Sequence, residues 1–228
     1  SITKSGFFYH LYLLYLTKTR TMKKTKKKKG TGKYIILGVV LLLIGSGVYS
    51  QGIRKNESND IIVQAHVKGN PNADITITKY SDLECPACKA AYPIVDQMLT
   101  EYGDHVRFEY KHLPLSQIHP NAIPAARAAE AAGQQGKFFE YHDMLFNQQS
   151  TWARSANSSG VFFAFAEDLG LDMNLFKKHM KNGALHARII SDAKEASQKG
   201  YQGTPTFEFN GERIAFQGYQ TFETLIEA

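Results

Sequence analysis

Alternation of hydrophobic and polar residues with a period of two predicts the strands of this chain. Ile75 and Ile77 alternate with threonines, as in a strand with one buried face. Val106, Phe108 and Tyr110 follow the same pattern. The predicted strands are residues 61–67, 75–78, 106–110, 206–209 and 213–216. The first is followed by a turn, and the last two flank Asn-Gly, a strong signal for a hairpin turn.

Longer segments rich in alanine and other helix formers lie between the predicted strands. A helix is expected to begin near Cys85 and to end at Tyr102, with Gly103 just after its last turn. A contiguous helical block is predicted from about residue 119 to 200, with helices at 122–132, 138–148, 161–169, 175–179 and 184–197. A closing helix is predicted at 221–228. This order indicates an α/β fold with a helical insertion, counted as one domain over residues 61–228.

One hydrophobic run, residues 34–52, carries no charge over its length. At ~1.5 Å per residue it nearly matches the ~30 Å hydrocarbon core of a bilayer. Residues 1–33 contain ten Lys or Arg and no Asp or Glu, so the positive-inside rule places the N-terminus in the cytoplasm. These features predict one N-terminal transmembrane helix, a polar linker at 53–60, and a domain outside the cell membrane.

A cleavable signal peptide is the alternative for the same hydrophobic run. Val48 and Ser50 suit a cleavage site after Ser50, which would release a secreted domain. Residues 1–21 precede Met22, and the lysines after it are typical of a bacterial start. We therefore expect residues 1–21 to lie outside the native protein, and they are excluded from the fold prediction.

Charge excludes one class of function. The chain has a net charge of +6, but the residues after 33 carry a net charge of −4. A nucleic-acid-binding domain would concentrate its basic residues on the folded part. The basic run instead precedes the hydrophobic segment, so no nucleic-acid partner is expected.

The chain contains two cysteines, Cys85 and Cys88, separated by two residues. Three interpretations are open. Half of a zinc site would need two further ligands, and His112 and His119 are the nearest downstream candidates, although their spacing is wide. A structural disulfide would close a very small loop and remove little entropy from the unfolded chain. The third interpretation is a redox-active dithiol.

The predicted position at the start of a helix favours the redox-active dithiol. Unpaired N–H groups and the helix dipole stabilise an anion there, which in this case is the Cys85 thiolate, the species that attacks disulfides. Pro86 suits the first turn, where a missing N–H has no consequence. Cys88 lies one turn along and can reach back to resolve a mixed disulfide. Export to an oxidising compartment would supply substrates.

Four features of the sequence together carry a family resemblance. They are Tyr80-Ser-Asp-Leu-Glu-Cys-Pro-Ala-Cys88, Pro93 in the first helix, Gly203-Thr-Pro-Thr-Phe207 before the hairpin, and His119-Pro-Asn-Ala122 with residues 136–146 at the start of the insertion. Over roughly residues 61–228 the chain resembles the Dsb-type (DsbA-like) thiol–disulfide oxidoreductases of the thioredoxin superfamily. The resemblance implies a thioredoxin-like fold with an inserted helical subdomain, and an enzyme that needs no metal or organic cofactor.

The resemblance also implies roles for individual residues. Cys85 would be the exposed nucleophile and Cys88 the buried resolving thiol. Pro205, expected to follow a cis peptide bond, would pack beside Cys85, and Thr204 would offer its backbone to an extended substrate segment. The implied partners are exported protein substrates and a membrane protein, quinone-linked by family resemblance, that restores the disulfide. Disulfide formation is the expected direction. The alternatives are reduction, isomerisation and a metal-binding module that uses the same thiols.

Two features depart from the family pattern. Many relatives carry a buried acid six residues before the first cysteine, thought to relay the proton of the resolving thiol. Here that position is Lys79, and Asp82 is the nearest remaining acid. Ala87 replaces the histidine of the strong oxidants, and Glu84 adds a negative charge on the other side. Both are expected to raise the pKa of Cys85 relative to those oxidants, to a value between ~3.5 and ~7.

Other residues of the insertion carry weaker signals. His112, His119 and His142 have the chemistry of ligands or bases, but such histidines are more often structural. The phenylalanines of the insertion could line a substrate groove, although core packing is the favoured interpretation. They are Phe138, Phe139, Phe146, Phe162, Phe163 and Phe165. Trp152 is expected to pack within the insertion.

Overall fold

The central feature of the fold is a five-stranded mixed sheet. The structure is a computed structural model that describes residues 61–228. The strands are β1 (His66–Gly69), β2 (Ile75–Ser81), β3 (Val106–His112), β4 (Thr206–Phe209) and β5 (Glu212–Ile214). Their order in the sheet is β1-β3-β2-β4-β5. β2 and β3 are parallel, whereas the other neighbouring pairs are antiparallel.

Burial differs between the two parallel strands. In β3 every second residue, beginning with Val106, is buried, which matches the predicted alternation. In β2 every residue from Ile77 to Ser81 is buried, as is typical of a central strand covered on both faces. Polar residues of β2 are therefore enclosed by the protein, and Lys79 is one of them.

Eight helices accompany the sheet within the described residues. They are α1 (Pro86–Tyr102), α2 (Ala122–Gly133), α3 (Phe138–Asn147), α4 (Gln149–Trp152), α5 (Ser158–Asp168), α6 (Met173–Met180), α7 (Gly183–Gln198) and α8 (Tyr219–Ile226). α1 connects β2 to β3, and α2 to α7 form the predicted insertion between β3 and β4. Helix α2 lies at its centre, because its alanines are small enough for α3, α6 and α7 to pack closely around it.

The local sequence signals are confirmed at both ends of α1 and in the hairpin. Cys85 is the N-cap of α1, Pro86 is its first residue, and the helix ends at Tyr102. Asn210 and Gly211 have φ values of +49° and +87°, as a two-residue primed turn requires. Gly103 after α1 is different, because its φ of −56° is that of a right-handed helix and not of a left-handed cap.

The first predicted strand is wrong in its boundaries. β1 begins only at His66, which is opposite Tyr110 of β3. Before that point the Gln134 side chain takes the place of a neighbouring strand. It accepts a hydrogen bond from Ile62 N–H at 2.9 Å and donates one to Ile62 C=O at 2.7 Å. Before His66 the chain is therefore held by side chains of the insertion, Gln134 at Ile62 and Arg188 at Gln64 C=O, and not by the sheet.

Three smaller differences concern the end of the hairpin, the closing helix and the insertion. β5 ends at Ile214 because the chain then leaves the sheet, and the Phe216 ring packs 4.4 Å from the Phe207 ring. α8 begins at Tyr219, two residues before its predicted start. The short helix α4 was not predicted. It ends at Trp152, which is buried and donates from its indole N–H to Leu145 C=O at 2.9 Å.

Core packing of the aromatic residues is confirmed. Phe138, Phe146, Phe162 and Phe165 are buried in the main hydrophobic core, and Phe139 and Phe163 pack against it. The predicted transmembrane helix at 34–52 and the linker at 53–60 lie outside the described residues. Within residues 61–228, no helix combines the length and the apolar character that a membrane span requires.

Candidate active site

Cys85 lies where the N-terminus of α1 meets the loop before β4. As the N-cap it has an extended backbone conformation, and its thiol lies 3.5 Å from Thr204 C=O. The Cys88 side chain lowers the pKa of Cys85 by hydrogen bonding to its sulfur. Burial opposes this effect, but contacts with Thr204 and with the N–H groups of Cys88 and Ala87 reinforce it, and the resulting pKa is about 5. This value falls in the expected interval of ~3.5 to ~7.

Cys88 lies on the inner side of the pair and is fully buried. Its sulfur accepts a hydrogen bond from the Asp82 backbone N–H at 3.5 Å. Burial raises the pKa of Cys88 well above its usual value, the neighbouring Cys85 raises it further, and Lys79 opposes both effects. At neutral pH the pair therefore consists of one thiolate and one thiol.

The loop before β4 covers the pair. The Thr204–Pro205 peptide bond is cis, as expected. Cys85 is less exposed than the family resemblance implied, since only 7% of the residue is accessible to solvent. An open groove continues from this loop, between α1 and the end of the hairpin. Its walls include Ala87, Ala91 and Ile94 on one side and Pro205 and Phe216 on the other.

Glu84 is the residue whose negative charge is expected to oppose the Cys85 thiolate. Its carboxylate is buried and faces the helical insertion. One oxygen accepts from Asn121 N–H at 2.6 Å, and the other accepts from Arg154 N–H at 2.7 Å. These two backbone N–H groups bind the carboxylate, and through them Glu84 joins the redox segment to the insertion.

Asp82 likewise points away from the cysteines. Its carboxylate accepts from Glu84 N–H and Leu115 N–H, both at 2.8 Å, and lies 2.7 Å from His119 Nδ1. Every one of these carboxylate partners belongs to the surrounding loops. Only its backbone N–H reaches Cys88.

Lys79 occupies the position that the family resemblance associates with a buried acid. It is 1% exposed, and its ammonium lies 5.0 Å from the centre of the Phe146 ring. Burial lowers the pKa of Lys79 to about 8, while Cys88, Cys85 and Asp143 act in the opposite direction. The side chain at the position of the relay acid is thus a buried cation in this chain.

Gln149 is a residue of the site that sequence analysis missed. It begins the short helix α4, is buried, and donates from Nε2 to Leu83 C=O at 2.8 Å and to Cys85 C=O at 3.1 Å. It therefore fixes the backbone on which the nucleophile is carried. No local signal marks this role, because the contact crosses more than 60 residues of sequence.

The histidines considered as zinc ligands belong to other networks. His119 pairs with Asp82, while His112 Nε2 and His66 Nε2 lie 3.2 and 2.8 Å from the same oxygen of Glu130. His66, His112 and Glu130 form a triad, the one set within residues 61–228 whose side chains converge closely enough to hold a metal ion. Arg188 Nε lies 3.2 Å from the same oxygen, and this cation opposes a second positive charge.

The triad therefore has a structural explanation. Burial raises the pKa of Glu130, but hydrogen bonds from His112 and His66 outweigh that effect and keep it below its usual value. A carboxylate that remains ionised links β1, β3 and α2, and through Arg188 it reaches α7.

Comparison with known proteins agrees with this geometry. A family model described as thioredoxin matches residues 62–228. Among curated proteins, the Na(+)/H(+) antiporter NhaA 1 of Salinispora arenicola is 42% identical over 148 residues, which cover 65% of this chain and 22% of that protein. The chain thus spans about a fifth of the length of the curated relatives that it matches.

Solved structures show the same fold. A thioredoxin-like oxidoreductase from Silicibacter pomeroyi is 27% identical, covers 72% of this chain and 90% of its own, and has a TM-score of 0.62. DsbA2 from Pseudomonas aeruginosa is 25% identical, covers 73% and 93%, and has a TM-score of 0.57. The chain therefore belongs to the thioredoxin family, and within the thioredoxin superfamily it is a DsbA-like protein.

Proposed function

We propose that this chain is a thiol–disulfide oxidoreductase that acts on exported proteins outside the cytoplasm. The observation that carries the proposal is the unequal placement of its two thiols, since Cys85 is the N-cap of α1 beside Thr204 whereas Cys88 is fully buried. The pKa of Cys85 is lowered to about 5, whereas the pKa of Cys88 is raised well above its usual value. One thiolate ready to react or to leave, beside one protonated thiol, is the arrangement that stepwise disulfide exchange requires.

Disulfide formation in a substrate would proceed in two displacements. A substrate thiolate attacks Cys85 Sγ of the Cys85–Cys88 disulfide, the S–S bond breaks, and its electron pair remains on Cys88, which takes up a proton. A second substrate thiolate then attacks the substrate sulfur of the mixed disulfide. Cys85 leaves as a thiolate, the substrate is oxidised, and the pair is reduced.

The low pKa of Cys85 supports this direction. A stabilised thiolate stabilises the reduced pair and so makes the disulfide a better oxidant. We expect a reduction potential between ~−120 mV and ~−270 mV, the values of the strongest oxidant and of thioredoxin. Turnover would then need a membrane partner, quinone-linked by family resemblance, that restores the disulfide. No metal or organic cofactor enters these steps.

Substrate binding is assigned to the cis loop and to the groove beside it. Thr204 C=O lies at the reacting sulfur, so an extended substrate segment that pairs with the Thr204 backbone would bring its own sulfur to Cys85. The apolar walls around Ile94 and Phe216 would hold hydrophobic side chains of the same segment.

Location at the membrane rests on the sequence of residues 34–52. The protein should stay with membranes after a carbonate wash, with residues 61–228 open to external protease. A soluble species that begins near Gln51 would instead indicate signal cleavage and a secreted domain.

Trapping of substrates tests the function. Cys88→Ser should accumulate mixed disulfides with exported proteins, because Cys85 still reacts and nothing resolves the product. Cys85→Ser, the matched control, should accumulate none. Equal trapping by the two variants would contradict the proposed roles.

The remaining alternatives give different results. A reductase or isomerase would have a potential near ~−270 mV or would act mainly on mispaired disulfides, which a glutathione titration and a refolding assay separate. A metal-binding module would be protected from alkylation at Cys85 by added Zn²⁺ at neutral pH.

A further inference from the structure

Lys79 is the buried charged group that the proposed exchange steps leave unused. It lies on β2, six residues before Cys85, with its ammonium over the Phe146 ring. A lysine that is 1% exposed is unfavourable for folding, because burial disfavours its charged form. Its environment nevertheless keeps opposite charges near: Cys88 and Cys85 favour the ammonium, and Asp143 does so more weakly.

The ionisable groups around Lys79 come from four elements. They are Cys85, Cys88, Tyr92 and Asp96 of α1, His142 and Asp143 of α3, Lys68 of β1, and Tyr110 of β3. Most of them keep one charge state near neutral pH. Burial lowers the pKa of His142 to about 4, so it is neutral, and Asp143 is paired with Lys68 at 3.2 Å. Lys79 and the cysteines are therefore the groups whose charges change together.

We propose that Lys79 takes up a proton when the Cys85–Cys88 disulfide is reduced, and so couples the redox equilibrium of the pair to pH. This inference rests on the proposed function. In the disulfide neither sulfur carries a charge, so a buried ammonium at Lys79 would have no thiolate to stabilise it. In the reduced pair the Cys85 thiolate is present, and the ammonium is stabilised by it.

The exchange steps then acquire a defined proton balance. When a substrate thiolate breaks the Cys85–Cys88 bond, the electron pair passes to Cys88. Cys88 takes its proton from solvent, and the neutral amine of Lys79 takes a second proton from solvent as the Cys85 thiolate is released. The net result is two electrons and two protons gained by the protein, one proton on Cys88 and one on Lys79.

The pH window follows from linkage. The pKa of about 8 belongs to the reduced protein, and loss of the sulfur charges can only lower it. Extra proton uptake therefore occurs below about pH 8 and above the pKa of Lys79 in the disulfide form. Without Lys79, reduction above the pKa of Cys85 takes up one proton, and the equilibrium constant changes tenfold per pH unit, or about 30 mV. With Lys79, reduction takes up two protons, and the equilibrium constant changes by as much as a hundredfold per pH unit, or about 59 mV.

The experiment is the reduction potential of the full-length chain in detergent, measured against glutathione buffers from about pH 6 to pH 8.5. Wild type is compared with Lys79→Met, which removes the charge at similar volume. Lys68→Met is the matched control, because Lys68 is a cation of the same pocket that is paired with Asp143. Thiolate absorbance on the same samples separates protonation of Cys85 from protonation of Lys79.

We expect the reduction potentials of wild type and Lys68→Met to change by up to about 59 mV per pH unit. The potential of Lys79→Met should change by about 30 mV per pH unit, which corresponds to one proton per two electrons. At pH 6 the Lys79→Met pair should be roughly tenfold less oxidising, since its thiolate has lost a nearby cation. This difference should shrink toward pH 8.5, where Lys79 is largely neutral in wild type. If the reduction potentials of wild type and Lys79→Met had equal slopes against pH while disulfide exchange was normal, the inference about Lys79 would be overturned and the proposed function would stand.

A second measurement does not depend on the variant. The ¹³C chemical shift of the lysine ε-carbon that titrates near pH 8, well below the usual ~10.4, should give a lower pKa in oxidised than in reduced wild type. The same pKa in both redox states would overturn the inference. A pair that does not equilibrate with glutathione at any pH would instead overturn the proposed function.

Discussion

The outer and inner sides of the cysteine pair stabilise opposite states of the same chemical group. On the outer side, the Cys85 sulfur meets the Cys88 thiol first, and also Thr204 and helical N–H groups, and its thiolate is favoured. On the inner side, Cys88 is enclosed by β2 and α1, and its neutral thiol is favoured. Because the side chains are identical, this difference comes wholly from the surroundings: hydrogen-bond donors on one side and loss of solvent on the other.

The comparison also explains how the site is supported. Residues on the outer side are held by contacts with the helical insertion, such as those of Gln149 and Glu84. The inner side is held by the sheet. The insertion thus fixes the position of the nucleophile, while the sheet sets the burial of the resolving thiol and of Lys79.

The largest expected effect is a difference in alkylation rate between the two thiols. In the reduced native protein at about pH 6, Cys85 is mostly thiolate and Cys88 is not, so iodoacetamide should modify Cys85 at least about a hundred times faster. Peptide mass spectrometry over time measures both rates. In the denatured protein the two rates should converge. Comparable rates in the native protein would remove the distinction between the two sides.

The second effect is the loss of folding stability that results from burying Lys79. The pKa of Lys79 is about 8 when folded, against 10.5 when unfolded, so the unfolded chain binds more protons between these values and stability should rise with pH there. Below pH 8 the full penalty of roughly 3 kcal/mol applies. Lys79→Met should therefore increase the free energy of unfolding of the reduced protein by about that amount at pH 7.

Denaturant unfolding at pH 7 and pH 10 measures this effect, and the advantage of Lys79→Met should narrow at the higher pH. Lys68→Met, which changes a half-buried cation of the same pocket, should stay within about 0.5 kcal/mol of wild type. A Lys79→Met protein less stable than wild type would show that the buried ammonium is favourable in its site.

The smallest effect separates the two interpretations of Glu84. Because its carboxylate accepts from Asn121 and Arg154, Glu84→Gln should lower stability by about 1–3 kcal/mol and leave the pKa of Cys85 nearly unchanged. Glu140→Gln on the exposed face of α3 serves as the control. A pKa of Cys85 that falls by a unit without loss of stability would restore the sequence-based view of Glu84 as a repulsive neighbour.

Local signals account for the parts of the fold that the sequence predicted. The N-cap position of Cys85, the first-turn Pro86 and the Asn210-Gly211 turn each depend on a few adjacent residues. Elements of this kind can be recognised without knowing the tertiary structure.

The directions of the buried acids could not be predicted in this way. Glu84 and Asp82 are close to the cysteines in sequence, yet apart from the Glu84 N–H that binds Asp82, their carboxylate partners lie 33 to 70 residues further along the chain. Which partner a carboxylate meets depends on how the insertion packs against the sheet. The role of Gln149 and the start of β1 at His66 depend on the same packing, so local sequence did not predict them.

The central claim is that the surroundings of Cys85 make it the reactive thiolate. Its most direct test is the ultraviolet thiolate absorbance of the reduced protein against pH, in wild type and in Ala87→His. The account predicts a midpoint near 5 in wild type. A lower midpoint is expected in Ala87→His, where an added donor would further stabilise the thiolate. A wild-type midpoint near the ~8.5 of an ordinary cysteine, or no response to Ala87→His, would contradict it.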